Sequence, residues 1–212
     1  MISVAPHLSV PRPVRPVSPP THMRLLVVDD HPAMRAGLRG LLTDEVDFEV
    51  VAVAVTAEHA LALAACEPID LAVVDYQLPG RNGLWLSRKL KRLPEPPAVL
   101  IYSAYTDGVL AAAAVVAEAD AIVSKVTLGF ELCEAIRRVA GGERHIPLLP
   151  QAVAEGVRRR LDDQEKAIFG MLLAGIAPAE VAAMLGLTSA CLESRLWSML
   201  RRLDGPPRAR TP

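Results

Sequence analysis

The chain has 212 residues, of which 51% are apolar and 22% are charged, and its formal net charge is −1. This balance is typical of a globular protein. No apolar run reaches the roughly 18 residues that a membrane-spanning helix needs, so the sequence predicts no transmembrane segment. The near-neutral charge argues neither for nor against nucleic acid, and the length allows two small domains that each bury a core.

Residues 1–22 contain six prolines and no acidic residue. They lack the continuous apolar stretch that a secretory signal needs, so we predict a disordered tail. The three cysteines, Cys66, Cys133 and Cys191, stand in apolar, helix-like surroundings and not at metal-ligand spacing. We therefore expect them to be buried, reduced thiols of a cytoplasmic protein.

From Arg24 onward, short apolar runs alternate with helical patterns. The predicted strands are residues 25–28, 48–53, 71–74, 98–102 and 121–123. The predicted helices between and after them are residues 32–42, 57–66, 83–93, 106–118 and 129–140. Strands that are buried on both faces are apolar along their whole length, and such strands alternating with helices indicate an α/β fold. The sequence thus predicts a doubly wound, five-stranded parallel sheet within residues 23–142.

A linker is predicted at residues 143–160, because Gly141 and Gly142 end the preceding helix and two prolines follow. Only helical patterns come after it, at residues 162–174, 178–185 and 189–203, with glycines between them. Helix, short glycine-containing turn and helix is the layout of a helix-turn-helix. We assign a small all-α domain to residues 161–205 and a disordered C-terminal tail to residues 206–212.

Carboxylates follow two of the predicted strands directly. Asp29 and Asp30 come after the first strand, and Asp75 comes after the third. The carboxyl ends of neighbouring parallel strands meet at one edge of the sheet, where ligands bind, so we expect these side chains to converge. Like charges at such distances repel unless a cation compensates them, and Mg²⁺ prefers hard oxygen ligands. The cluster therefore predicts a Mg²⁺ site.

Two more polar side chains stand at the ends of the other predicted strands, Ser103 after the fourth and Lys125 after the fifth. A carboxylate nucleophile, a divalent ion, a hydroxyl and an ammonium group are what phosphoryl transfer to an aspartate requires. Taken singly, each residue also suits a simpler role, such as a helix cap, a turn residue or a solvated lysine. Their joint placement at four strand ends favours the phosphoryl-transfer site.

Three strings mark this part of the chain: LLVVDDHPAMRAGL, VVDYQLPGRNG and IVSK. With them, residues 24–142 resemble the CheY-like receiver domain of two-component response regulators. The resemblance implies that Asp75 takes a phosphoryl group from a sensor histidine kinase. It also implies that Asp29 and Asp30 hold Mg²⁺ together with Asp75, and that Ser103 and Lys125 contact the phosphoryl oxygens.

One pocket position departs from that family. Receivers usually carry an aromatic residue three positions before the lysine, which swings inward when the hydroxyl residue moves toward the phosphate. This chain has Ile122 there. We therefore expect the aromatic switch to be absent or replaced.

Residues 161–203 resemble the DNA-binding domain of the NarL/FixJ (LuxR-type) regulators without gaps. The matching positions are Leu161, Glu165, Gly175, Glu180, Ala182, Leu185 and Leu203. The polar face of the last predicted helix carries hydroxyl and guanidinium groups, which suit phosphates and base edges in a major groove. The predicted DNA-binding residues are Ser189, Ser194, Arg195, Ser198, Arg201 and Arg202. The predicted core of this domain is Val181, Met184, Leu185, Leu192, Leu196, Met199 and Leu203.

Glu193 stands where the family pattern has a lysine, and a carboxylate there would be repelled by the DNA backbone, although it could accept a hydrogen bond from cytosine. Residues 151–212 carry nine basic against seven acidic residues, a weak basic bias. Trp197 is large for a groove-facing position and suits packing or dimerisation. A helical domain that binds a protein partner instead of DNA is therefore the alternative.

The sequence favours a phosphorylation-regulated DNA-binding transcription regulator, not an enzyme, that partners a histidine kinase and double-stranded DNA and forms a homodimer when active. A receiver whose C-terminal helices bind a protein is the second hypothesis. The third is a phosphatase with an aspartyl-phosphate intermediate. It is disfavoured because no DxD motif follows the first strand.

Overall fold

Strands and helices alternate along the first two thirds of the chain, and only helices follow. The computed structural model describes residues 22–203. The strands there are β1 (Met23–Val28), β2 (Phe48–Ala54), β3 (Leu71–Asp75), β4 (Ala98–Ser103) and β5 (Ala121–Ser124). The helices are α1 (Pro32–Thr43), α2 (Ala57–Cys66), α3 (Gly83–Leu90), α4 (Gly108–Val116), α5 (Gly129–Ala140), α6 (Gln151–Arg158), α7 (Asp163–Leu173), α8 (Pro178–Met184) and α9 (Ser189–Leu203). The two predicted tails, apart from His22, lie outside the described residues.

The five strands form one parallel sheet in the order β2-β1-β3-β4-β5. The chain moves outward in one direction from β1 to β2 and in the other from β3 to β5. The order therefore reverses between β1 and β3, and a crevice at their carboxyl ends is the expected ligand site. The predicted doubly wound α/β fold is confirmed.

Alternating side chains of the strands supply two apolar layers, because successive residues of a strand point to opposite faces. Leu26 and Val28 of β1 belong to the layer covered by α2, α3 and α4. Leu25 and Val27 belong to the opposite layer, with Leu38 of α1 and further residues of α5. The sheet is thus covered on both faces, which explains why its strands are apolar along their length.

The predicted linker at residues 143–160 contains a helix, because α6 takes up eight of these residues. His145 first forms a parallel bridge with Ala121 at the edge of the sheet. Pro150 then stands at the N-cap of α6, where no helical hydrogen bond needs the backbone N–H that proline lacks. Val157 of α6 is 2% exposed. The prolines that suggested a linker therefore precede a helix, and one apolar face anchors that helix.

The C-terminal helices form the predicted three-helix arrangement. Asp162 accepts a hydrogen bond from the backbone of Glu165, whose carboxylate accepts one from the backbone of Asp162, so α7 begins with a capping box. Pro178 occupies the first turn of α8. The prediction that Met184 belongs to the core is wrong, because its side chain is 63% exposed at the end of α8, where the chain turns away.

The prediction of three buried thiols is also wrong. Cys133 of α5 is buried, but Cys66 and Cys191 are exposed. Cys66 is the last residue of α2 and Cys191 lies in the first turn of α9, and helix ends turn out of the core more than helix centres do.

The helix α4 joins the two parts of the chain. Every residue from Leu110 to Val116 is buried. This alanine-rich helix packs against the sheet, and α6, α7 and α9, which follow the receiver in the chain, also pack against it. Residues of α4 and of α7 to α9 belong to one continuous buried cluster. Within residues 22–203, none of the helices combines the length and the apolar character needed to cross a membrane.

Candidate functional site

Two buried aspartates stand at the carboxyl ends of adjacent strands. Asp29 follows β1 and Asp75 ends β3, and they are 0% and 3% exposed. The backbone N–H of His31 donates to Asp29 Oδ1 at 2.7 Å, and that of Gln77 donates to Asp75 Oδ1 at 3.0 Å. Each carboxylate is therefore fixed by its own loop, and its second oxygen faces the crevice where the strand order reverses.

Lys125, directly after β5, links these two carboxylates. Its Nζ lies 2.7 Å from Asp29 Oδ2 and 2.8 Å from Asp75 Oδ2. Burial raises the pKa of Asp75, and the neighbouring ammonium only partly offsets that effect. Burial alone would lower the pKa of Lys125, but the two carboxylates outweigh it and the pKa is raised. The ammonium thus stays charged beside a carboxylate of increased basicity.

The same crevice holds a set of groups suited to a hard cation. One ligand atom from each of Asp29, Asp30, His31 and Asp75 lies within 4.8 Å of the others. Three of these four groups are carboxylates, which Mg²⁺ prefers. The acidic cluster predicted from the sequence is present. His31 was missed, although it directly follows Asp30, and its Nδ1 lies 2.9 Å from Asp30 Oδ1.

Ser103 is the last residue of β4 and is 1% exposed. Its Oγ accepts a hydrogen bond from the backbone of Tyr105 at 3.1 Å. The backbone N–H of Lys125 donates to the Ser103 carbonyl at 2.8 Å, which joins the ends of β4 and β5. All five predicted pocket residues therefore stand at the same edge of the sheet. Ile122, at the position of the usual aromatic, is 3% exposed and belongs to the apolar core.

Gly83 lets α3 begin against the end of β3. A Cβ atom at this residue would lie 2.4 Å from the carbonyl oxygen of Asp75. Asn82 caps the helix by accepting a hydrogen bond from the backbone of Trp85 at 3.0 Å. The start of α3 is thereby held directly behind Asp75.

The predicted DNA-binding residues all lie on α9, which begins at Ser189 with Thr188 as its cap. Ser194 and Arg201 are exposed. Arg195 Nη1 lies 3.1 Å from Asp162 Oδ2, and Arg202 pairs with Glu165. Two of the predicted DNA-binding residues thus form ion pairs with carboxylates at the start of α7. Arg201 and the serines Ser189, Ser194 and Ser198 remain on the polar face.

Comparison with known proteins gives consistent matches. The family model described as the response regulator receiver domain matches residues 25–138. The transcriptional activator protein ExaE of Pseudomonas putida is 32% identical over 194 residues, which cover 86% of this chain and 90% of that protein. The DNA-binding transcriptional activator DevR/DosR of Mycobacterium tuberculosis is 29% identical over 192 residues, covering 85% of this chain and 88% of that protein.

A solved structure adds support from the fold. The crystal structure of a two-component response regulator of the LuxR family from Aurantimonas sp. SI85-9A1 shares 30% sequence identity, with a TM-score of 0.56. The match covers 66% of this chain and 99% of that chain. Three observations indicate the same family: the match to the receiver model, the relatives that span both parts of the chain, and the helix-turn-helix layout. The chain belongs to the two-component response regulators of the NarL/FixJ (LuxR-type helix-turn-helix) family.

Proposed function

We propose that this protein takes a phosphoryl group from a sensor histidine kinase onto Asp75 and, in response, binds double-stranded DNA through α8 and α9 as a transcription regulator. The observation that carries the proposal is the contact of Lys125 with both Asp29 and Asp75 at the point where the strand order reverses. An ammonium, buried carboxylates and a nearby hydroxyl at that point are the groups that phosphoryl transfer needs.

The chemistry assigned to Asp75 is a nucleophilic displacement. One carboxylate oxygen forms a bond to phosphorus while the bond between phosphorus and the donor imidazole nitrogen breaks, and the electron pair stays on that nitrogen. Lys125 pairs with charge that develops on the phosphoryl oxygens, and the Ser103 hydroxyl donates to one of them. The burial of Asp75 excludes water from the carboxylate and raises its basicity.

Asp29, Asp30 and Asp75 are the residues that would hold Mg²⁺, as their hard oxygen donors fit this ion. When bound, Mg²⁺ supplies charge neutralisation for the phosphoryl oxygens. Lys125 offsets part of the negative charge of the pocket through its contacts with Asp29 and Asp75. These contacts lie within the protein and do not depend on the ion.

DNA is favoured over a protein as the partner of the C-terminal helices. DevR/DosR, which matches this chain along both domains, is described as a DNA-binding transcriptional activator. The proposal also places the protein in the cytoplasm and has it act as a homodimer, with two α9 helices in major-groove segments about one DNA turn apart. It assigns no catalytic turnover to the chain beyond transfer of the phosphoryl group to Asp75.

The phosphoacceptor assignment is tested by intact-protein mass spectrometry after incubation with acetyl phosphate and Mg²⁺. The wild-type chain should gain one phosphoryl group, and Asp75→Asn should gain none because an amide is not a nucleophile here. Asp163→Asn, which changes a 98% exposed carboxylate on α7, is the matched control and should behave as the wild type. Phosphorylation of Asp75→Asn to the wild-type extent would contradict the assignment.

A further inference from the structure

Four charged side chains form a cluster where the receiver meets α9. Arg88 lies on α3, Arg92 follows α3, Glu118 follows α4, and Glu193 lies on α9. Arg88 pairs with Glu193 and donates to Glu118 Oε1 at 2.9 Å. Arg92 donates through Nε and Nη2 to Glu193 Oε2 at 2.9 and 2.8 Å. The cluster is formally neutral, and Glu193 is its contribution from the C-terminal domain.

Burial makes this cluster more than a surface ion pair. The Arg88 side chain is 0% exposed, against 29% for Glu193 and 37% for Arg92. Removing the carboxylate partners of a buried guanidinium strongly destabilises the folded protein, because an uncompensated buried charge is left behind. Burial raises the pKa of the Glu193 carboxyl, but hydrogen bonds from Arg88 and Arg92 outweigh burial and hold that pKa below its usual value. Glu193 is thus charged and engaged by the receiver.

Trp197 extends the contact by one helical turn. The guanidinium carbon of Arg88 lies 5.4 Å from the centre of its ring, and Lys89 Nζ lies 5.5 Å from it. Residues four apart share one face of a helix, so Glu193 and Trp197 present the same face of α9 to the receiver. The apolar contact of α9 with α4 continues this interface.

We propose that Glu193 is an interdomain latch residue, which holds α9 on the receiver through Arg88 and Arg92 and thereby keeps the unphosphorylated protein from DNA. The inference rests on the DNA-binding function proposed above and specifies how it is restrained. It accounts for a carboxylate where the family pattern has a lysine, because the partners of Glu193 are arginines of the same chain.

The latched arrangement and DNA binding exclude each other by size. A helix with its side chains is about 10–12 Å across, and the major groove is about 12 Å wide. The groove therefore has no room for α3 and the loop after it on the flank of α9. Opening the latch exposes the flank of α9 that carries Glu193 and Trp197, and it leaves room for DNA at the polar face beside it, where Ser194 and Arg201 are already exposed.

The latch is tested on the full-length, unphosphorylated protein with one variant on each side of the interface. Glu193→Lys places a third cation beside Arg88 and Arg92, and Arg92→Glu places a third carboxylate beside Glu193 and Glu118. Both should raise the radius of gyration measured by small-angle X-ray scattering. The double variant Arg92→Glu with Glu193→Lys should restore the compact value. Arg39→Ala, on the exposed face of α1, is the control and should leave it unchanged. Circular dichroism verifies that each variant folds.

DNA binding by the Arg92→Glu variant gives an independent readout, since residue 92 lies in the receiver. Its affinity for duplex DNA without phosphorylation should rise about tenfold or more over wild type, in proportion to the population of the open form. Folded single variants that stay as compact as the wild type would overturn the latch. Variants that open but bind no DNA would support the latch and count against the DNA-binding function.

Discussion

At the scale of single residues, the pocket depends on charges that are buried together. Asp29 and Asp75 are almost fully buried, and Lys125 is the cation that lies between them. Two carboxylates this close would repel each other, so the ammonium between them stabilises the folded pocket. Their convergence could be predicted from the sequence because each follows the end of a predicted strand, and the strand ends of a parallel sheet lie close together.

Substitution of Lys125 tests this balance of charge. Lys125→Ala leaves two buried carboxylates without their ammonium, and loss of one partner of a buried ion pair costs about 3–5 kcal/mol. In a metal-free buffer, we expect the free energy of unfolding, measured by urea titration, to fall by an amount in that range. Mg²⁺ should stabilise the variant more than the wild type, because the ion then replaces the missing cation. Equal stabilisation of both proteins by Mg²⁺ would contradict this account.

Other single residues could not be predicted from local sequence. Glu193 was assigned to a DNA-facing helix, and its partners are Arg88 and Arg92, about a hundred positions earlier in the chain. Such a contact depends on how the two domains pack, which periodicity along one helix does not reveal. Met184 and two of the three cysteines were wrongly predicted to be buried, because an apolar residue at a helix end satisfies the same pattern as one at its centre.

At the scale of elements, the sheet and the helices around it could be predicted from the spacing of apolar residues and from the residues that end each element. The apolar runs of β1 and β3 are uninterrupted because both faces of the sheet are covered. Helices α2, α5 and α9 begin and end at the predicted residues. The helix α6 was missed since Pro147 and Pro150 signalled a linker, and its anchoring contacts come from α4, an element distant in sequence.

The start of α3 provides a test at this scale, through paired glycine substitutions. Gly83→Ala would bring a Cβ to 2.4 Å from the Asp75 carbonyl oxygen, so α3 or β3 has to shift. Overpacking of this kind typically destabilises by about 1–3 kcal/mol. Gly37→Ala, on α1, meets nothing within 4 Å and should stabilise by up to about 1 kcal/mol through helix propensity. Thermal unfolding compares the two, and a Gly83→Ala protein at least as stable as Gly37→Ala would contradict the close approach.

At the scale of the whole molecule, α4 stands between the pocket and the DNA-binding helices. It begins five residues after Ser103 and is buried between the sheet and the C-terminal domain. We expect a change at the pocket to reach α9 through α4, because Ser103 shortly precedes this helix and α9 packs against it. Phosphorylation would then act on a two-state equilibrium between latched and open forms.

The central claim is that phosphorylation of Asp75 governs DNA binding by this chain. It is tested most directly by selecting bound duplexes from a random DNA pool with the purified full-length protein, with and without beryllofluoride and Mg²⁺ as a phosphoryl mimic. We expect one enriched motif, recovered mainly with the mimic, and no enrichment by Asp75→Asn under either condition. The same motif enriched equally with and without the mimic would contradict control by Asp75. No enriched motif under any condition would contradict DNA binding itself.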